Sequence, residues 1–190
     1  MRPMRPLPRS FYHRPTIDVA RDLLGKVVVH GPTSGIIVET EAYLGGDDLA
    51  SHSAAGITDR TRVIFGPPGH AYVYLSYGIH ECLNIVAETD QVPGAVLIRA
   101  LEPLEGIEIM RRRRPKARTD HDLTNGPGKL TRALAITRAH NGVDVTRGDL
   151  FLHTLALPPF EIEVSKRIGI TKCPDLPLRF TIKGNRFVSR

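Results

Sequence analysis

Most apolar residues of this chain fall in short runs bounded by Gly, Pro, Asn and Ser, a pattern that predicts strands joined by turns. The predicted strands are Lys26–His30, Gly35–Tyr43, Ala71–Ser76, His80–Ala87, Gly94–Ala100, Leu150–Leu152, Glu161–Val164 and Arg179–Ile182. The third and fourth of these flank Tyr77-Gly78, so we expect them to form a hairpin with an aromatic residue at its tip. A long polar loop is expected over Asp47–Gly69.

Three segments show helical spacing of their apolar residues. Thr16–Leu24 carries an apolar stripe between Thr16 as the expected N-cap and Gly25 as the stop. Pro103–Arg113 begins with acids and ends in arginines, an order that suits the helix dipole, and Leu130–Arg138 follows a glycine-rich turn. Because the strands cluster without regular alternation with helices, the pattern favours an α+β fold over a doubly wound sheet.

The length and composition predict a single globular domain. With 190 residues, of which 41% are hydrophobic, one domain is expected over residues 1–190, with residues 1–8 as a flexible basic arm. No apolar run is long enough to span a membrane, and the basic start has no apolar signal core. Cys82 and Cys173 have neither metal-binding spacing nor a CxxC motif, which predicts an intracellular, reducing location.

The charge balance favours a polyanionic partner. The chain has 26 Lys and Arg against 20 Asp and Glu, a net charge of +6. Such a charge attracts phosphates, and binding then releases counterions. Charge alone does not distinguish DNA from RNA or from an anionic lipid surface.

The segment 36–43 is the first candidate for chemistry. In a strand, the side chains of Glu39, Glu41 and Tyr43 share one face, and the other face carries Ile36, Val38 and Ala42. Two carboxylates and a ring beside a buried strand suit a general base. From the pattern alone, an edge strand with a solvated acidic face is the better interpretation, and alternation does not choose between Glu39 and Glu41.

Three of the five tyrosines lie within residues 72–77. Tyr72 and Tyr74 fall on one face of a strand, and Tyr77 falls at the expected hairpin tip. Aromatic rings stack on bases, and a tip residue can wedge between base pairs. For Tyr72, cross-strand aromatic pairing is the preferred interpretation.

Acidic residues and a histidine occur close together in the long loop. Asp47, Asp48 and His52 raise the possibility of a metal site, but their spacing matches no recognised ligand set, so no metal is expected. His52 is instead a candidate for polarising water or stacking on a planar ligand; the alternative is an ordinary solvated loop histidine.

Arg99 lies within an otherwise apolar strand. An unpaired buried charge is costly, so this arginine is expected to have an acidic partner. A carboxylate such as Glu41 would be oriented by it; the alternative is a purely structural ion pair with Glu102 or another acid.

Seven fragments occur in a fixed order between about Leu7 and Val188. They are Val38–Leu44, Ala50–His52, Tyr72–Tyr74, Tyr77-Gly78, Asn84, Leu97–Gly106 and Asn125–Leu130. Together they resemble the alkyladenine (3-methyladenine) DNA glycosylase family. The combination of these fragments in this order is specific to that family. The resemblance implies a single compact α+β domain with a mostly antiparallel sheet, surrounding helices and a protruding hairpin that inserts into DNA. His80-Glu81 and Lys166 depart from residues found in relatives.

The resemblance also implies roles for the residues at the reacting bond. Glu41 matches the general base that activates water, and Arg99 matches the arginine that orients this base and the water. His52 matches a group beside the water that also contacts the base.

Further matched residues belong to the base pocket. Tyr43, Tyr74 and His52 match the groups that sandwich a flipped base. Asn84 matches a pocket residue that clashes with the 2-amino group of normal guanine, and Tyr77 matches the wedge that fills the gap in the DNA stack.

The implied activity is base-excision repair. The enzyme would hydrolyse the N-glycosidic bond of flipped-out alkylated or deaminated purines (the 3-methyladenine, 7-methylguanine, hypoxanthine and ethenoadenine class), without lyase activity and without a cofactor or metal. The expected partner is double-stranded DNA with a damaged purine, bound by a monomer without a membrane, in the nucleoid of a bacterium or the nucleus of a eukaryote. Two alternatives remain: a non-catalytic basic nucleic-acid-binding module, and a metal hydrolase built on Asp47, Asp48 and His52.

Overall fold

The computed structural model describes residues 4–89 and 91–189. Its helices are α1 (Arg9–Tyr12), α2 (Thr16–Asp22), α3 (Ile107–Arg113), α4 (His121–Thr124) and α5 (Pro127–Leu134). Its strands are β1 (Lys26–His30), β2 (Thr33–Tyr43), β3 (Ala71–Ser76), β4 (His80–Val86), β5 (Ala95–Glu105), β6 (Leu150–Thr154), β7 (Ile162–Ser165) and β8 (Arg179–Ile182). Two short 3₁₀ helices cover His52–Ala55 and Arg138–His140.

All eight of these strands belong to one sheet. The order along it is β3-β4-β5-β2-β1-β6, and β8 pairs with both β2 and β7. Every strand pair is antiparallel. The predicted α+β fold is therefore confirmed, and each strand-like run forms a strand, although β5 extends five residues beyond the predicted end at Ala100.

The centre of the sheet is formed by the two longest strands, β2 and β5. Every residue of β2 except Tyr43 is buried, so the predicted solvated acidic face is wrong. The alternation is also broken, because the β2–β5 pairing shifts register between Ile37 and Thr40. As a result Val38 packs with Ala100 and Phe187 in a separate small cluster.

The same irregularity positions Arg99. The register passes from Glu39 opposite Ala100 to Thr40 opposite Ile98, which leaves Arg99 as an extra residue in β5. Such a bulge redirects a side chain that regular pairing would place elsewhere. Here it brings the guanidinium of Arg99 to both Glu39 and Glu41.

The helices pack on the sheet, and α3 and α5 have other bounds than predicted. The strand β5 continues through Pro103 to Glu105, and Gly106 with a φ of 72° separates it from α3. A side chain at Gly106 would meet the carbonyl oxygen of Pro32, so glycine fits this close approach. The helix α5 begins at Pro127, a favoured first position, and ends where Ala135 turns left-handed with a φ of 57°.

The first long helix also differs at both ends. The residue at the N-cap of α2 is Pro15 rather than Thr16, and the hydroxyl of Thr16 donates to Glu88 instead. The helix ends at Asp22, ahead of Gly25, which has a φ of 76°.

The main core lies between the sheet and the helices, and part of the expected basic arm belongs to it. Leu7 is buried in this core, and its backbone N–H donates to the carbonyl of Leu152 at 2.7 Å. Pro6 forms a β-bridge with His153. The expectation of a flexible arm is therefore wrong for Pro6 and Leu7, while its residues 1–3 lie outside the described residues.

The segment between β2 and β3 is a long loop, as predicted, with one short 3₁₀ helix at His52–Ala55. The side chain of Ser51 accepts a hydrogen bond from the backbone of Ser53 and so caps this helix. Among residues 4–89 and 91–189, no helix is long and apolar enough to cross a membrane.

Candidate active site

A cavity of about 870 Å³ is walled by the β3–β4 hairpin, the long loop, the central strands and the loop after β7. Six of the seven residues expected at the site line it: Tyr43, His52, Tyr74, Tyr77, Asn84 and Arg99. The seventh, Glu41, is fully buried and does not form part of the cavity surface.

Glu41 lies directly behind the wall of this cavity. Its Oε2 accepts hydrogen bonds from the hydroxyl of Tyr43 at 2.9 Å and from Nη1 of Arg99 at 3.4 Å. Its Oε1 accepts one from the backbone N–H of Ile168 at 2.8 Å. All three donors belong to residues that line the cavity. These bonds replace the hydration that a buried carboxylate loses.

The neighbouring carboxylate of Glu39 has a different set of partners. It accepts from Nε of Arg99 at 3.1 Å, Nε of Arg179 at 2.7 Å, and both the backbone N–H and the hydroxyl of Ser189 at 2.6 and 2.9 Å. Of these, Arg99 alone lines the cavity. The contacts therefore distinguish two carboxylates that alternation left equivalent: Glu39 belongs to a buried ion-pair network, and Glu41 faces the cavity wall.

Arg99 joins these two carboxylates. Two partners were considered for this arginine: Glu41, or another acid in a structural ion pair. It has both, because it pairs with Glu41 and also with Glu39. The structural partner is not Glu102, whose carboxylate accepts from Asn185 at 3.0 Å.

Tyr43 supplies an aromatic wall and a fixed donor. Its ring is half-buried, and the guanidinium carbon of Arg167 lies 4.7 Å from the ring centroid. Burial, and then the neighbouring Glu41 carboxylate, raise the pKa of Tyr43 well above its usual range. The hydroxyl therefore stays protonated and available to donate.

His52 lies against the tyrosines of β3. Its Nδ1 is 3.0 Å from the hydroxyl of Tyr72, and its ring meets that of Tyr74 edge-on at 4.5 Å between centroids. Burial, and then the charge of Arg60, lower the pKa of His52 to about 4. The imidazole is therefore neutral near pH 7, with one nitrogen donating and one accepting.

Tyr72 and Asn84 also line the cavity. In the β3–β4 register Tyr72 is opposite Asn84, so the predicted cross-strand aromatic pairing is wrong. Tyr72 packs instead against Tyr74 of its own strand, with 5.3 Å between ring centroids. The amide of Asn84 donates to the carbonyl of Tyr72 at 3.1 Å, which fixes its orientation in the cavity wall.

Tyr77 occupies the hairpin tip at the rim of the cavity. It is 86% exposed, and its φ of 50° is followed by 71° at Gly78. Two successive positive φ angles are characteristic of a type I′ hairpin turn, in which Asn-Gly is the preferred pair. An exposed tyrosine is an unusual choice at the first of these positions.

Several site residues were not predicted from the sequence. Arg60, from the long loop, lies 5.2 Å from the ring centroid of Tyr74 and lines the cavity. Ile168 lines the cavity and donates its backbone N–H to Glu41, a contact that no side-chain signal could have revealed. Arg114, the last residue of the arginine run at the end of α3, also lines the cavity.

One acid of the pair in the long loop is paired with an arginine. Asp48 is buried against Arg167, with two hydrogen bonds of 2.7 and 2.8 Å. In the part of the chain that the structure describes, no group of three or more His, Cys, Asp or Glu side chains could hold a metal ion. The metal-hydrolase alternative therefore loses the ligand set on which it was based.

Comparison with known proteins gives the same assignment as the ordered fragments. The model of the methylpurine-DNA glycosylase family matches residues 10–186. The chain belongs to the methylpurine-DNA glycosylase family. It is accordingly a 3-methyladenine-type DNA glycosylase, a hydrolase that acts on DNA in DNA repair.

Its relatives match this glycosylase over nearly their whole length. A protein of Methanoculleus marisnigri, named as a 3-methyladenine DNA glycosylase, is 51% identical over 193 residues that cover 97% of this chain and 98% of its own. A protein of the same name from Methanocella arvoryzae is 51% identical, with 97% and 96% covered. Another from Bradyrhizobium diazoefficiens is 48% identical, with 98% and 92% covered.

Proposed function

We propose that this glycosylase excises alkylated or deaminated purines from duplex DNA, with Glu41 as the general base. The observation that carries the proposal is the contact of Glu41 with Tyr43, Arg99 and Ile168, which places a buried carboxylate immediately behind the wall of an aromatic cavity. The cavity volume of about 870 Å³ falls within the range of roughly 300–1,000 Å³ typical of small-molecule sites.

Base flipping follows from the buried position of the carboxylate. The glycosidic carbon of a stacked nucleotide cannot reach Glu41, so the nucleotide must leave the duplex and enter the cavity. Tyr77, exposed at the rim, is suited to fill the vacated space. Flipping costs least for damaged or mismatched bases, and this supplies part of the selectivity.

The extruded purine would lie among aromatic groups. Tyr43 contributes one wall, and the contacting pair of His52 and Tyr74 contributes another. Asn84 is held in a fixed orientation by Tyr72 and would discriminate against the 2-amino group of guanine.

In the chemical step, Glu41 takes a proton from a water molecule as its oxygen attacks C1′. The C1′–N bond breaks with its electron pair going to the base, and a C1′–O bond forms. The carboxylate also stabilises the positive charge that develops on the sugar. A cationic base such as 3-methyladenine leaves as a neutral molecule, whereas a neutral base such as hypoxanthine leaves with a proton taken from solvent water.

We further propose that the enzyme removes the base without cutting the strand. A lyase needs an amine that attacks C1′, and among residues 4–89 and 91–189 the hydrogen-bond donors to Glu41 are Tyr43, Arg99 and the Ile168 backbone, with no lysine. Lys129 lines the cavity, but its Nζ donates to Asn125 at 2.7 Å. Trapping of an enzyme–DNA adduct with borohydride would contradict this part of the proposal.

The function is tested with end-labelled duplexes that carry one hypoxanthine or ethenoadenine, with an undamaged duplex of the same sequence as the control. We expect strand breakage at the damaged position only after alkali, which cleaves abasic sites. A non-catalytic binding module, the competing interpretation, would bind these duplexes and leave every base in place.

A further inference from the structure

Two loops that carry site residues are joined by one buried ion pair, between Asp48 of the long loop and Arg167 of the loop after β7. Nη1 of Arg167 lies 2.7 Å from Oδ2 of Asp48, and Nη2 lies 2.8 Å from Oδ1. The exposed fractions of the two side chains are 2% for Asp48 and 0% for Arg167. This two-point contact fixes the relative orientation of the two groups.

Asp48 shapes the loop that leads to His52. Its carboxylate also accepts from the backbone N–H groups of Leu44 at 2.9 Å and Ala50 at 3.3 Å. Burial tends to raise the pKa of Asp48, but the hydrogen bonds from Arg167 and Leu44 outweigh it and hold that pKa below its usual range. The carboxylate therefore stays ionised and paired.

Arg167 contacts the other side of the site. Its Nη1 also donates to the carbonyl of Ala42 at 3.0 Å, and its guanidinium lies 4.7 Å from the ring centroid of Tyr43. The next residue, Ile168, is the one whose backbone N–H donates to Glu41. The guanidinium thus supports both the aromatic wall and the backbone donor of the carboxylate.

We propose that Asp48 and Arg167 are positioning residues for base excision, which keep Tyr43 and the Ile168 amide in place on Glu41. A buried ion pair is weak support for stability by itself, because desolvation offsets most of its attraction. Its contribution here is geometric: two loops that are far apart in sequence are fixed to one strand. This inference rests on the function proposed above and adds residues that do not touch the substrate.

The test uses Asp48→Asn, which keeps the size of the side chain, and Arg167→Lys, which keeps its charge but loses the two-point contact. The control is Asp175→Asn, which makes the same chemical change in the exposed Lys166–Asp175 pair of the same loop. Excision from a hypoxanthine duplex is measured in single turnovers, giving the rate at saturating enzyme and the enzyme concentration for half-maximal rate.

We expect the saturating rate to fall about 10- to 100-fold in both variants, since misplacing a reacting group by roughly 1 Å costs about 100-fold. The half-maximal concentration should stay within about twofold of wild type, and the control should keep the wild-type rate. If Asp48→Asn does not fold, Arg167→Lys alone decides the question.

The results that would overturn the proposed function differ from those that would overturn the positioning role. An inactive wild type would overturn the proposed function. An active wild type with folded variants of unchanged saturating rate would overturn the positioning role. So would an equal loss in the control, or a change confined to the half-maximal concentration.

Discussion

The hydroxyl of Tyr43 donates a hydrogen bond of 2.9 Å to Oε2 of Glu41, two residues away on the same strand. Side chains at this spacing project to the same side of a strand, so β2 itself sets the distance between the aromatic wall and the carboxylate. The other oxygen of Glu41 is bonded to a loop amide. Sheet and loop thus each hold one oxygen of the proposed base.

Replacing Tyr43 with Phe should slow excision while the ring is kept. Hydrogen bonds to charged groups contribute about 1.5–3 kcal/mol, which corresponds to roughly 10- to 100-fold in rate if the bond matters fully in the transition state. The measurement is single-turnover excision at saturating enzyme. Tyr12→Phe is the matched control, because the Tyr12 hydroxyl is buried and has no hydrogen-bond partner among the described residues. Equal rates for the Tyr43 variant and wild type would remove this bond from the mechanism.

Protonation of His52 should lower the stability of the folded protein as the pH falls. Its pKa is lowered from 6.5 to about 4 by burial and by Arg60, so the unfolded chain binds this proton first. The contribution of the neutral ring to stability is present above about pH 6.5 and is lost as the pH falls toward about 4. Urea unfolding at about pH 7, 5.5 and 4.5 should therefore show a steeper loss for wild type than for His52→Gln. Parallel losses in the two proteins would show that His52 titrates normally.

Tyr77 should contribute to activity at the expense of stability. Its positive φ costs roughly 1–2 kcal/mol for most side chains but little for asparagine, which is preferred before glycine in this turn. We expect Tyr77→Asn to raise the free energy of unfolding by up to about 1 kcal/mol. Excision from a fully paired duplex should fall by about 10-fold or more, with a smaller loss when the damaged base lies in a single strand. Equal losses on the two substrates would argue against a wedge.

Glu39 should contribute mainly to the stability of the folded protein. Removing one partner of a buried ion pair costs about 3–5 kcal/mol, and Glu39 accepts from Arg99, Arg179 and Ser189. The Glu39→Gln variant should therefore lose several kcal/mol in urea unfolding. A loss below about 1 kcal/mol would mean that this network contributes little net stability.

The fold was predictable where the periodicity was strong. The strands and the hairpin at Tyr77-Gly78 follow from short apolar runs and their turn residues. The bounds of α3 and α5 did not follow, because they depend on Gly106 approaching Pro32 and on Ala135 adopting a left-handed conformation. Both features depend on the tertiary structure, which the local sequence pattern does not indicate.

The residues that the candidate site brings together were predictable only through the ordered fragments. Strand alternation placed Glu39 and Glu41 together but could not separate them, since the difference lies in partners distant in sequence such as Ile168 and Ser189. The bulge that redirects Arg99 depends on the β2–β5 register. The role of Asp48 as the partner of Arg167 likewise spans more than one hundred residues.

The proposed general base is examined by single-turnover excision by Glu41→Gln on an ethenoadenine or hypoxanthine duplex. Loss of a general base costs typically about 10²–10⁴ in rate, so we expect a fall of that size with the affinity for the duplex retained. Excision by the folded Glu41→Gln variant at the wild-type rate would show that Glu41 is not the general base.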